Sequence, residues 1–331
     1  MRHGIRRLSV STMVMAGVLA ATIVAAPGVS AAPERGLRVD IRPVSLTVDG
    51  ETATGRVYEP YRSTPGDLNP GSLVVAVHGH AGSAADFPDY LSSIVRRTGT
   101  PLLTMDQRSA ESRWRTGDWN VWAGWRDTVT ATRWYRDEHP DIRRTVLWGW
   151  SQGGLTSGLA AAYAPPGTYD YWVSTFGQAD DFSSWLEGPL AAPDLRAQIE
   201  RDAGDCAPWA CPGAYIARSP ALLAPRITVR RTILLHGTAD TLVPFTSSVE
   251  MRAALVAAGK SVSLYTVISG RDLDGTVAPA GHGVGPVFFE SGCVVERLLL
   301  EDEPRNSDYL IDVANNINTA PDAPAGAKCA A

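Results

Sequence analysis

Short apolar runs alternate with helix-spaced stretches along most of this chain, and that alternation restricts the fold more than any other feature. Residues 73–77 (LVVAV) are apolar without interruption, as expected of a strand buried on both faces. Residues 102–105, 145–148, 171–175, 232–236 and 262–267 read as further strands. Two opening strands at 37–44 and 52–57 flank the turn Asp49-Gly50. Helical patterns fill the gaps at 84–97, 120–138, 152–163, 247–258 and 287–300. In the second of these Val121, Trp125, Val129, Thr132 and Tyr135 share a face, and His139-Pro140 stops it. Strand and helix in this order predict an α/β fold, a mostly parallel central sheet with helices on both faces. Sheets of that kind place their sites at the carboxyl ends of the strands.

Composition narrows the class further. Hydrophobic residues make up 44% of the 331, enough to bury a core, which excludes disordered, collagen-like and low-complexity chains. No repeat of solenoid or propeller length occurs. The formal net charge is -5, so no nucleic-acid partner is expected.

Residues 1–32 stand apart from the fold. Arg2, Arg6 and Arg7 precede an uncharged apolar stretch, and Val29-Ser30-Ala31 fits a small-residue cleavage site. A membrane anchor is the rival reading, but Pro27 and Gly28 before a cleavage signature favour a signal peptide that is removed. Its loss takes three arginines and no acid, moving the net charge from -5 to -8. No other stretch has the length and apolarity of a span, so residues 33–331 are expected to be a secreted domain without a stable membrane anchor. Export makes the four cysteines disulfide candidates, with three possible pairings. The favoured one joins Cys206 to Cys211 and Cys293 to Cys329, the latter tying down a C-terminal tail at 301–331.

Gly149-Trp150-Ser151-Gln152-Gly153-Gly154 lies between the strand at 145–148 and the helix at 152–163. Glycines two before and two after a serine permit a sharp strand-to-helix turn that lifts the hydroxyl above the sheet, marking Ser151 as a nucleophile. Of six histidines, His3 leaves with the signal, His139 ends a helix, and His78 and His236 close apolar strands in structural roles. His282, in the Gly-rich loop Pro279-Ala280-Gly281-His282-Gly283, has the chain position of a base. The acid expected to orient it is Asp240, in the loop after 232–236. Asp272 and Asp274 are nearer in sequence and are the first alternatives, with Asp180 and Asp181 behind them. In Val77-His78-Gly79-His80-Ala81-Gly82 the backbone N–H of His80, with that of Gln152, forms the expected oxyanion hole. The His80 side chain either lines the cleft or faces solvent. No HExxH or comparable histidine cluster is present, so neither metal nor cofactor is called for.

These motifs, HGHAG, GWSQGG and HGTADTLVP with a late histidine, resemble the α/β-hydrolase superfamily over residues 37–300. Two branches are similar: the catalytic domain of prolyl-oligopeptidase-type peptidases, also through Ala214 to Pro220, and the dienelactone hydrolase, cutinase and polyester hydrolase group. The resemblance implies Ser151 as nucleophile, Asp240 as acid and His282 as base. About 300 residues leave no room for the propeller of the peptidases, and residues 177–226 form an insertion, or small cap, that compact polyester hydrolases lack. The expected activity is hydrolysis of carboxylic esters (small-molecule, lipid or polymeric) through an acyl-enzyme. The alternative is an aminopeptidase or amidase with the same triad, and a non-catalytic binding module is the reading from another class. Ten tryptophans suggest aromatic contacts; most are expected to pack the core, with Trp150 beside the nucleophile and Trp185 in the insertion as substrate-binding candidates.

Overall fold

The computed structural model describes residues 37–61, 68–108, 118–272, 274–300 and 302–321. The first two strands, β1 (Arg38–Val48) and β2 (Glu51–Tyr61), form an antiparallel hairpin longer than the sequence suggested. Asp49 and Gly50 both have positive φ, 52° and 81°, as a two-residue turn matched to strand twist requires. The hairpin joins the sheet through β2, antiparallel to β4 (Leu102–Met105). From there the sheet is parallel: β4, β3 (Ser72–Val77), β5 (Arg144–Trp150), β6 (Tyr171–Thr175), β7 (Arg231–Gly237) and β8 (Val262–Arg271).

Period-two alternation divides each buried strand between two cores. In β3, Leu73, Val75 and Val77 point to the face covered by α2 (Val121–Glu138), α3 (Gln152–Tyr163) and α7 (Thr246–Ala257). Val74 and Ala76 point to the other, under α1 (Pro88–Thr98) and α8 (Pro286–Leu299). Each fully buried Leu, Val, Ile or Phe in these layers contributes about 1.5 to 3 kcal/mol of hydrophobic stabilisation. Strand order runs β4-β3-β5, so the chain leaves β3 in one direction for β4 and returns on its other side for β5. A crevice opens at such a reversal, and the loops after β3 and β5 both enter it.

Three short helices make up the insertion: α4 (Asp181–Ala191), α5 (Leu195–Asp202) and α6 (Pro212–Ala217). Cys206 and Cys211 are disulfide-bonded between α5 and α6. Closing so short a loop stabilises by about 2 kcal/mol in the chain-entropy model. A Cys206→Ser/Cys211→Ser protein should lose that amount in urea denaturation, and an unchanged midpoint would refute the estimate. Cys293 is also disulfide-bonded; its expected partner, Cys329, lies outside the described residues, as does the segment 1–32.

Within the expected tail at 301–331, the described residues 302–321 extend the sheet. β10 (Tyr309–Asp312) adds a parallel strand beyond β8, with α8 as the crossover, and β11 (Ile317–Asn318) pairs with it. Ser269 Oγ donates to Asp312 at 2.6 Å and locks the added strand. A further short strand, β9 (Val277–Pro279), folds back antiparallel on β8 and delivers the loop that carries His282.

Candidate active site

Ser151 stands between β5 and α3 with φ 56° and ψ -129°, a conformation that costs a non-glycine residue of order 1 to 3 kcal/mol. Its N–H donates to the Thr175 carbonyl at 3.0 Å and its carbonyl accepts from Gly154, which holds the turn from both sides. The flanking glycines are required by space. A Cβ on Gly149 would collide with the Gly153 backbone, and one on Gly153 with the carbonyl oxygens of Val77 and His78. The turn therefore lets the helix start press directly against the end of β3.

His282 accepts from Ser151 Oγ at Nε2 (2.8 Å) and donates from Nδ1 to Asp240 Oδ2 (2.7 Å). The β8–β9 hairpin makes this meeting possible: Ala239 N–H donates to the Ala280 carbonyl, and Ala280 N–H to that of Ile268. Phe176 packs its ring 4.6 Å from the imidazole. The carboxylate of Asp240 is fully buried. Its Oδ1 accepts the N–H groups of Leu242 and Val243, each at 2.9 Å. Burial works to raise this carboxyl, but hydrogen bonding from His236 and His282 outweighs it and holds the group well below the usual carboxylate range.

His236 is a neighbour of the triad as well as a core histidine. Its Nε2 lies 3.3 Å from Asp240 Oδ2 and 2.9 Å from the Val243 carbonyl. A carbonyl only accepts, so Nε2 carries the proton and Nδ1 accepts from Ser248 Oγ at 2.7 Å. The i, i+4 spacing of His236 and Asp240 at a strand end was the available signal for this contact.

The alternative acids are engaged elsewhere. Asp274 accepts from Thr276 in the β8–β9 turn, where Asp272 N–H donates to the Thr276 carbonyl. Asp180 caps α4 through Ser183 N–H, and Asp181 accepts from Trp119 Nε1 at 3.1 Å.

The loop after β3 runs beside the nucleophile: a Cβ on Gly79 would lie 3.1 Å from the Ser151 Cβ. Among the described residues neither the His80 nor the Gln152 backbone N–H has a protein acceptor. The His80 side chain is half-buried and is held by the insertion. Its Nε2 is bonded to Gln198 Oε1 of α5 at 2.8 Å, and that oxygen also accepts from Trp119 N–H at 3.1 Å. The insertion is thus fastened to the loop beside Ser151.

Trp150 requires a correction. Only 5% of it is exposed, and its ring packs among Phe87, Trp148 and Phe288. In a strand entering the turn, neighbouring residues point to opposite faces, so the residue before Ser151 is driven into the core. Trp185 is half-buried on α4, with Nε1 donating to Glu200 and Arg196 lying 4.3 Å over its ring. Trp122 and Trp125 pack with Tyr163 at the far end of α3.

Two comparisons bear on this geometry. Residues 113–271 match the sequence model of the prolyl oligopeptidase family, a span that holds Ser151 and Asp240. Similar solved structures include a puromycin hydrolase (TM-score 0.61, 19% identity, covering 80% of this chain and 39% of that one). An acylaminoacyl peptidase bound to Z-Gly-Gly-Phe-chloromethyl ketone gives 0.60, 16%, 80% and 41%. A puromycin-hydrolyzing peptidase of Mycobacterium tuberculosis gives 0.54, 22%, 68% and 35%. The chain has the α/β-hydrolase fold. It spans about two fifths of the length of these structures. No curated protein matches this chain by sequence. The match over the nucleophile and acid favours the peptidase branch of the expected resemblance over the cutinase-like one.

Proposed function

We propose that this chain cleaves amide bonds of aminoacyl or short peptidyl substrates through an acyl-enzyme on Ser151. This replaces ester hydrolysis, the first expectation, with what was its alternative. The observation that carries it is the prolyl oligopeptidase match over the segment holding Ser151 and Asp240, joined by His282 at hydrogen-bond distance from both.

The steps follow from the hydrogen-bond directions. Ser151 Oγ attacks the carbonyl carbon as its proton passes to His282 Nε2. Asp240 stabilises the resulting imidazolium through Nδ1 without taking the proton. The carbonyl oxygen becomes an oxyanion, and the N–H groups of His80 and Gln152 receive it. His282 returns the proton to the amine nitrogen as the C–N bond breaks. A water molecule then repeats the sequence on the acyl-enzyme, releasing the acid and restoring Ser151. Export of the mature protein belongs to the same proposal and is supported by the Cys206–Cys211 bridge and the leader-like composition of residues 1–32.

The test compares aminoacyl 4-nitroanilides and puromycin with p-nitrophenyl esters of short acids. The expected result is turnover of the aminoacyl amides that Ser151→Ala abolishes. Hydrolysis of the esters alone would return the assignment to the esterase reading.

A further inference from the structure

Gln107 takes no part in the steps above, yet it joins both walls of the oxyanion site. It follows β4 and is 1% exposed. Its Nε2 donates to the His78 carbonyl at 2.5 Å, and its Oε1 accepts from Thr156 Oγ1 at 2.9 Å. Its backbone N–H donates to His78 Nε2 at 3.2 Å. Because that nitrogen accepts, the imidazole proton is on Nδ1, which donates to the Gly79 carbonyl at 2.9 Å. Burial lowers the His78 pKa and so keeps the ring in this neutral form.

The Gly79 carbonyl and the His80 N–H belong to one trans peptide unit and point in opposite directions. Holding the carbonyl, through His78 and also Gly82 N–H at 3.1 Å, therefore aims the N–H. On the other side, Thr156 lies one turn beyond Gln152 on α3. The surroundings leave little slack: a Cβ on Gly124 would come within 3.0 Å of Gln107 Oε1 and of Thr156 Cγ2. We propose that Gln107 is a positioning residue that sets the spacing of the two oxyanion donors, acting through His78 on one and Thr156 on the other. The inference rests on the acyl-transfer reading.

Donor spacing matters most when the oxyanion exists, so its loss should appear in kcat. In the full chain, Gln107→Leu is expected to lower kcat on an aminoacyl anilide by about 10- to 100-fold with KM within about threefold. A boronic acid, whose adduct with Ser151 imitates the tetrahedral state, should lose affinity by the same factor as kcat/KM. His78→Asn keeps an N–H where Nδ1–H stood and should retain kcat within about tenfold, whereas His78→Leu should fall about 100-fold. Should Gln107→Leu fail to fold, Thr156→Val carries the test, with a loss of about 5- to 10-fold. Folded Gln107→Leu or Thr156→Val with kcat and boronate affinity within about threefold of wild type would overturn the inference. The acyl-transfer reading fails on a different result, full activity in Ser151→Ala.

Discussion

Ser151→Ala is expected to lower kcat on an aminoacyl anilide by a factor on the order of 10⁶ while leaving thermal stability near that of the wild type. The size of the effect follows from the connectivity. The hydroxyl is the atom that donates to His282 Nε2, and without it the histidine and Asp240 have nothing to activate. The residual rate would come from binding and the oxyanion donors alone. Stability should change little because alanine inherits the same positive φ at the turn, so the strain is neither added nor relieved. Calorimetry with initial-rate assays separates the two quantities. A large drop in melting temperature would show that the hydroxyl also holds the turn together. A rate within tenfold of wild type would remove Ser151 from the chemistry.

The parts of the site that the sequence made legible are those where spacing and backbone geometry coincide. GWSQGG is readable because glycine is the one residue that fits at 149 and 153, where carbonyl oxygens occupy the space of a Cβ. Asp240 is readable because it follows β7, whose apolar run is unmistakable, and His282 because it stands in a late Gly-rich loop at the chain position of a base. The parts that stayed hidden depend on side-chain direction. Trp150 sits next to the nucleophile in sequence, but the pleat turns it into the core among Phe87, Trp148 and Phe288. Gln107 carries no motif, and its value lies in three hydrogen bonds to residues 29 and 49 positions away. The added strand β10 is four residues long, too short for periodicity to distinguish from a tail. The hairpin β8–β9 escaped for the same reason, although it is the element that brings His282 to Asp240.

The insertion acts on the same region from the opposite side. Gln198 of α5 holds the His80 side chain while Gln107 and His78 hold the peptide that carries the His80 N–H. A loop gripped through both its backbone and its side chain does not need to reorganise when charge develops on the substrate, which is how preorganised donors lower a barrier. This also explains why buried polar residues, rather than more apolar packing, fill the space behind the nucleophile. An apolar Gln107 would leave the His78 carbonyl and the Thr156 hydroxyl without these partners.

Asp240→Asn is expected to cost about 10⁴-fold in kcat with little change in KM. The orientation of the new amide is dictated by its surroundings. Leu242 and Val243 direct two N–H groups at the Oδ1 position, so the amide oxygen stays there and the NH2 takes the place of Oδ2. That NH2 then faces His282 Nδ1, which must accept. The imidazole proton moves to Nε2, where it confronts the Ser151 hydroxyl and prevents its deprotonation. His236 adds a second conflict, since its Nε2–H, 3.3 Å from Oδ2, would meet another donor. The wild-type pH dependence follows from the same carboxylate. Because the folded protein holds Asp240 well below its ordinary value of 3.8, the group is charged throughout the neutral range and loses its charge only below that value. Asp240 should therefore add no step to the pH profile of kcat/KM between 3.8 and neutrality. Protonation of the Asp240 carboxylate at or above 3.8, followed by its carboxyl NMR shift, would contradict the assigned hydrogen bonding.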